Sequence, residues 1–254
     1  MKKQNILEKY FSIYKFHSAY GRREGLKRVW SIFRELDLYD FRRRVNTRTI
    51  KVEALEKSTY MPYWPAFTSV VSEMLKFSYN YYVSAIRYSD LDRKTIFVDF
   101  GAGLGKTILM ASETGKFSVL GGIEIDPELV DESNNNLRVK SQKFHNENMF
   151  FALGNVENKR DIKNLVKKIE KYGINTFDST LFIFNKNSYG PEVLRNSLIL
   201  IEKYFSSIVY MYQNPIHHYV LSDLGFIEFG TDSKSPSAHK NYKYRLFFKH
   251  QYRI

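Results

Sequence analysis

The chain has 254 residues and no cysteine. That absence removes disulfide frameworks, thiolate nucleophiles and cysteine-held zinc or iron–sulfur clusters from its chemistry. It accords with a reducing compartment, and a cytoplasmic location is expected. Long apolar runs are also missing: no segment approaches the roughly 18–20 apolar residues that span a bilayer, so no membrane association is expected. The opening residues, MKKQNILEKYFSIYKF, carry charge through their apolar positions, unlike a secretory signal. No His, Asp and Glu cluster at ligand spacing, so no metal is expected. With only six prolines, each one punctuates: Pro127 and Pro191 stand where helices begin, a position at which the missing N–H costs nothing.

What the chain does have is positive charge and aromatic rings. Its 39 Lys and Arg against 27 Asp and Glu give a formal charge of +12, which favours anionic partners. Much of the excess lies early, in Arg22, Arg23, Lys27 and Arg28 and again in Arg42, Arg43, Arg44 and Arg48. Solvated helix faces compete with substrate binding as the reason. Between Asn5 and Asp40 apolar residues recur at three- and four-residue spacing, which predicts amphipathic helices separated at Gly21. An irregular stretch from Arg42 to Pro65 follows, and then a longer helix over Phe67 to Ile86. Residues 1–94 thus read as a helical extension.

From Thr95 the texture changes. IFVDF, SVLGGIEI, MFFALGN, STLFIFN and SSIVYMYQ are short apolar strands separated by helical segments, and FIEFG and YKYRLFFK close the chain as two consecutive strands. Alternating strands and helices imply parallel pairing with right-handed crossovers. The expected fold of residues 95–254 is α/β: a doubly wound, Rossmann-like, seven-stranded sheet with an antiparallel terminal hairpin.

The turn DFGAGLGKT admits three nucleotide-site readings. A dinucleotide fingerprint needs G-x-G-x-x-G, and Lys106 stands where its last glycine belongs. A phosphate-binding loop needs G-x-x-x-x-G-K-[ST]; Gly105, Lys106 and Thr107 supply its end, but Phe100 occupies its first glycine. The third reading uses Asp99 at the strand end, Gly101 and Gly103 as small residues that let a ligand approach the backbone, and Glu124 at the end of the next strand. Glu124 can accept hydrogen bonds from ribose hydroxyls, in the crevice where an open α/β sheet binds its ligand. Asp126 reads as a cap for the helix opening at Pro127.

VDFGAGLGKTILMA followed by GIEIDPELVDESNNNL resembles the first two motifs of class I S-adenosylmethionine-dependent methyltransferases, and Thr95 to Lys249 matches that family's order of elements. The resemblance implies S-adenosylmethionine as cofactor. Asp99 and the turn through Gly101, Ala102, Gly103 and Gly105, with Thr107, would approach its methionine part. Glu124 and Ile125 would lie at the ribose, and Asn155 and Val156 would flank the adenine, Asn155 standing where an acidic residue is common. The loop Tyr60, Pro62, Tyr63 and Trp64 would fold over the cofactor, and by the same analogy with the family residues 1–94 would be a cap on the substrate side. FNKNSYGPEVLRNSL and IVYMYQNPIHHYVLSDLGF, with RRRVNTRT and YMPYWPAF, resemble a bacterial subgroup of unassigned substrate, whose fourth strand usually ends in Asn-Pro-Phe. Here Asn185, Lys186 and Asn187 replace it, where methyl group and acceptor should meet.

Methyl transfer from a sulfonium is an in-line displacement, so the enzyme's work is positioning and, for a hydroxyl, proton removal. Asn185 and Tyr189 are the candidates for lining the acceptor site, and His217 is the candidate base, ahead of His218 and Glu192. The expected activity is methylation of an oxygen or nitrogen on an anionic small molecule, such as a phosphorylated metabolite or sugar nucleotide. A nucleic-acid or protein methyltransferase and a non-catalytic nucleotide-binding protein are the alternatives.

Overall fold

The computed structural model describes residues 11, 14–15, 21–47, 65–86, 93–141, 148–187, 189–231 and 244–250. Seven strands form one sheet: β1 (Thr95–Phe100), β2 (Val119–Glu124), β3 (Met149–Leu153), β4 (Thr180–Asn185), β5 (Ser207–Gln213), β6 (Ile227–Thr231) and β7 (Tyr244–His250). Their order is β3-β2-β1-β4-β5-β7-β6. The first five pair in parallel, and β7 inserts antiparallel between β5 and β6. This is the doubly wound sheet with a terminal hairpin that the sequence predicts. β1, β2, β4 and β5 are buried along their whole length, as strands covered on both faces must be.

Helices cover both faces. α4 (Lys106–Ser112) and α5 (Pro127–Ser141) follow β1 and β2, while α6 (Lys159–Glu170), α7 (Pro191–Ile201) and the short α8 (Tyr219–Asp223) follow β3, β4 and β5. Ile162, Leu165, Val166 and Ile169 of α6 recur at helical spacing and are buried together with Ile96, Val98, Leu181 and Ile183 on one face of the sheet. On the other face Phe97, Phe182, Val209 and Met211 meet Ile108 and Leu109 of α4.

The helices before β1 join that second face. α1 (Arg22–Ile32) runs through a π-helical turn, Phe33–Asp37, into α2 (Leu38–Arg43). α2 therefore extends into the stretch expected to be irregular, and it stops at Arg44, whose left-handed backbone (φ 57°) ends the helix. α3 (Thr68–Tyr81) buries Val70, Val71, Met74 and Leu75 on the sheet, each such side chain stabilising by about 1.5–3 kcal/mol when fully covered. Leu36, Tyr39, Val45 and the α3 residues belong to the same core cluster as β1, β4 and β5. The extension shares a core with the sheet.

The residues after β5 predict a short helix from Pro215 to Leu224, and its helical part is confined to Tyr219–Asp223. Its first residues form a turn in which His218 Nδ1 lies 3.1 Å from the Pro215 carbonyl oxygen, and helical geometry begins at Tyr219.

Candidate active site

β1 and β4 run from the switch point of the sheet, where the chain turns one way to β2 and β3 and the other way to β5; ligands of open α/β sheets lie outside the carboxyl ends of these strands. The turn after β1 folds across the end of β2. Gly101 and Ala102 donate to the Ile123 carbonyl at 2.9 and 3.1 Å, and Gly105 donates to the Ala102 carbonyl at 2.9 Å. Gly101, Gly103 and Gly105 all have positive φ, at 83°, 52° and 82°. The glycine spacing in the sequence therefore corresponds to a backbone that side-chain-bearing residues rarely adopt.

Glu124 ties this turn to the next. Its Oε2 accepts from the Gly103 N–H at 2.8 Å, and its Oε1 accepts from Ile125 at 2.8 Å and Asp126 at 3.2 Å. Burial pushes the Glu124 carboxyl up, and these backbone N–H groups pull it down. A carboxylate has about four acceptor positions, so roughly one remains open. Asp126 caps α5 as expected, its Oδ1 accepting from Glu128 at 2.9 Å and Leu129 at 3.4 Å.

Asp99 is buried on the α4 side, accepting from the Thr107 hydroxyl. Burial drives its carboxyl well above the usual range; the Thr107 hydroxyl opposes this and the nearby Glu124 adds to it. Around the turn, then, stand two carboxylates, and the N–H groups of Gly101, Ala102, Gly103 and Gly105 are already engaged within the fold. A phosphate would meet acceptor oxygens on both carboxyl groups and find those four donors taken.

Lys106, the residue that suggested a phosphate loop, serves another purpose. It is 2% exposed, and its Nζ donates to the Glu35 carbonyl at 2.9 Å and lies 3.5 Å from that of Leu36. The π-helical turn leaves the Glu35 carbonyl available to outside donors, and Thr68 Oγ1 also donates to it at 2.8 Å. The Glu35 carboxylate accepts from the Ser69 N–H at 2.9 Å, giving the first turn of α3 its anion. Lys106→Met should cost about 1–3 kcal/mol by leaving buried carbonyls short of a donor, as urea unfolding would report. Its effect on ATP affinity should be nil, the opposite of what a phosphate-loop lysine would show.

The end of β4 divides its residues between the two faces. Asn185 lies on the side of Leu181 and Ile183, buried near Tyr210. Asn187 Oδ1 accepts from Tyr212 Oη at 2.7 Å. Tyr189 packs against the same α6–α7 cluster, on the face opposite the extension. The ring of His217 stands edge-on to Tyr219 at 6.2 Å. Asn155 Oδ1 accepts from the Glu157 N–H at 2.9 Å, and Val156 is buried in the core. Tyr60 and Pro62, with Tyr63 and Trp64, lie outside the described residues.

Lys186 and Gln213 were not singled out as site residues in the sequence. Lys186 Nζ donates to the Pro65 carbonyl at 3.0 Å. Burial lowers its pKa from the ordinary 10.5 to about 8, with Lys106 adding to the fall and Asp99 opposing it. In the window from about pH 8 to about 10.4 the unfolded chain holds a proton that the folded chain has released, so this group makes stability rise with pH. The difference in urea midpoint between wild type and Lys186→Met should therefore grow in favour of wild type from pH 7 to 10, because the variant lacks the titrating group. Because Asn185 pairs with Tyr212, Lys186 and Gln213 follow side by side. Gln213 is fully buried, and neither atom of its side-chain amide has a hydrogen-bond partner among the described residues. Such a group costs about 1–3 kcal/mol in the free protein. Leu153 was likewise missed: it ends β3 directly beside Glu124, 58% exposed, and Ile125 next to it is 37% exposed.

No family model matches the chain, and no curated protein matches it either. Among solved structures it is similar to magnesium protoporphyrin IX methyltransferase from Synechocystis PCC 6803, determined with bound S-adenosylmethionine (13% identity, 88% of this chain and 96% of that one, TM-score 0.47). It is similar also to the B. subtilis m1A22 tRNA methyltransferase TrmK (10%, 71% and 66%, TM-score 0.43). A third is the ribosomal protein L11 methylase of Lactobacillus delbrueckii subsp. bulgaricus (9%, 76% and 91%, TM-score 0.43). What this site can hold is decided by its own geometry. Among the described residues, no helix is long and apolar enough to cross a membrane.

Proposed function

We infer that the chain is an S-adenosylmethionine-dependent methyltransferase acting on an oxygen or nitrogen of an anionic acceptor. One observation carries this reading: the glycine turn is flanked by the buried carboxyl groups of Asp99 and Glu124, and its Gly101, Ala102, Gly103 and Gly105 N–H groups are engaged within the fold. That suits a ligand with a positive sulfonium and ammonium, and is wrong for a pyrophosphate. The exposed Ile125 and Leu153 beside Glu124 offer an apolar platform suited to an adenine ring. Ribose hydroxyls would take the open position on Glu124 and compete for the longest of its bonds, that from Asp126. Asp99, Ala102 and Thr107 would face the methionine part, and Asn155 would keep its side-chain NH2 for the base. When bound, the cofactor supplies the electrophilic methyl group.

The acceptor would enter at the end of β4, between Asn185 and Tyr189 on one side and Lys186 on the other. Lys186 has an ammonium pKa close enough to neutrality to take a proton, a role assigned to His217 on sequence grounds. The unpaired Gln213 amide next to it offers one acceptor and two donors to a polar group of the substrate. Phosphorylated metabolites, sugar nucleotides and nucleic acids all present the anionic character that the chain's charge favours.

The test is thermal stabilisation by S-adenosylmethionine, ATP-Mg and NAD in parallel. At a ligand concentration near 100 times Kd, binding adds about 2.7 kcal/mol, which for a chain of this size raises Tm by about 5–10 °C. A shift with S-adenosylmethionine alone is expected. A shift with ATP-Mg and none with S-adenosylmethionine would overturn the assignment.

A further inference from the structure

The outer face of α1 and α2 carries an arrangement that neither the fold nor the cofactor site needs. Arg22, Leu26, Trp30 and Arg34 recur at four-residue intervals, which places them in one row along the helix, with Arg23 and Lys27 beside it. Leu26 is 62% exposed and Trp30 59%. Past the π-helical turn Phe41 stands out at 77% exposure, next to the exposed Arg42 and Arg44. Rings and an aliphatic side chain left in water cost the free protein hydrophobic stabilisation, so a surface of this kind calls for a partner. Some of its cations are occupied: Lys27 pairs with Glu24 and Arg34 with Glu35. Arg22, Arg23, Arg42 and Arg44 form no close ion pair among the described residues, Arg23 acting on Glu24 only through the field of its charge.

We propose that this face docks single-stranded RNA, its arginines on the phosphates and Trp30 and Phe41 stacked on bases, and so presents the strand to the candidate methyl-transfer site. Guanidinium forks match phosphate oxygens in pairs, and flat rings between cations are the platform on which unpaired bases stack. An anionic membrane surface is the weaker fit. Arginines outnumber the apolar residues of this face, and one leucine with two separated rings make too small a stripe to enter a bilayer interface.

The face is also fastened to the site. Asn46, two residues past Arg44, accepts at its carbonyl from Asn136 Nδ2 at 2.7 Å, and the same Nδ2 reaches the Leu104 carbonyl of the glycine turn at 3.1 Å. The Asn46 N–H donates back to Asn136 Oδ1 at 2.7 Å. Lys106 grips the π-helical turn from the other side of the same loop. A strand lying on α2 is thereby held in register with the carboxyl ends of β1 and β4. The inference rests on the methyltransferase reading for its catalytic meaning, and narrows the anionic acceptor to a polynucleotide.

The experiment is a salt titration of fluorescein-labelled single-stranded RNA binding, alongside S-adenosylmethionine binding by calorimetry. For single strands each phosphate contact contributes about −0.7 to the slope of log K against log salt. The quadruple variant with Arg22, Arg23, Arg42 and Arg44 changed to Gln should therefore flatten the slope by about 3. Trp30→Ala and Phe41→Ala should each weaken binding by about 5- to 150-fold. Lys163→Gln with Lys167→Gln, on the exposed side of α6 against the opposite face of the sheet, should change affinity little. All variants should keep wild-type S-adenosylmethionine affinity, which also shows that they fold. Absence of RNA binding, equal loss in the α6 control, binding of the same face to phosphatidylserine vesicles instead, or a change of oligomeric state with Trp30→Ala would each overturn the docking proposal while leaving the methyltransferase reading intact. RNA binding by a chain that fails to bind S-adenosylmethionine would instead sink that reading and leave the docking face standing.

Discussion

Glu124→Ala is expected to destabilise the fold and to remove cofactor binding together. In the native turn one carboxylate collects the N–H groups of Gly103, Ile125 and Asp126. Hydrogen bonds to a charged group contribute about 1.5–3 kcal/mol each. Part of this is offset by the desolvation that raises the Glu124 pKa. Alanine leaves the donors facing one another, and a net loss of about 2–4 kcal/mol follows. If Glu124 also holds the ribose, S-adenosylmethionine affinity falls by about 100-fold or more, some 3 kcal/mol of binding energy. Urea unfolding measures the first effect, and calorimetric titration below the variant's melting transition measures the second. Glu124→Gln keeps a carbonyl oxygen but turns an NH2 toward a backbone donor, so its losses should fall between wild type and alanine. An alanine variant that binds S-adenosylmethionine normally would remove Glu124 from the cofactor site.

Gly105→Ala should cost as much or more in stability, for steric reasons. The residue sits at φ +82°, a left-handed conformation that penalises any Cβ by about 1–2 kcal/mol. A Cβ built there would also lie 2.4 Å from Phe151 Cζ and 3.0 Å from Cε1. Phe151 belongs to β3 and is buried, so it cannot swing into solvent. Overpacking of this kind typically adds about 1–3 kcal/mol, giving an expected total of about 2–5 kcal/mol. Because the turn runs directly from Gly101 to the start of α4, the distortion should reach the proposed cofactor site, and any affinity for S-adenosylmethionine should fall with stability. A Gly105→Ala chain with wild-type urea midpoint would contradict the tight approach of the turn to β3.

Much of the geometry around the glycine turn could be read in the sequence because its determinants are local. The positive φ of Gly101, Gly103 and Gly105, the cap at Asp126 and the helix starts at Pro127 and Pro191 each depend on a few neighbouring residues. The helical extension was legible in the same way, through its three- and four-residue periodicity. The exit of α2 at Arg44 was not, since a left-handed arginine leaves no mark in composition. The short helix expected over Pro215 to Leu224 starts only at Tyr219, because the Pro215 carbonyl takes a local bond from the His218 ring ahead of it.

By itself, then, the amino-acid order determined the alternation of strand and helix, the closing hairpin and the glycine turn with its paired acids, because periodicity and backbone permissiveness act within a few residues. Tertiary structure alone decided which way Lys106 points, that the part-buried Lys186 and the buried Gln213 are neighbours at the end of β4 and β5, that Asn185 and Tyr189 face the α6–α7 layer, and that Leu153 is left exposed beside Glu124. Those placements follow from strand register and from which helix packs on which face. A shift of one residue in a strand reverses every side chain on it, and nothing short of the assembled sheet fixes that choice.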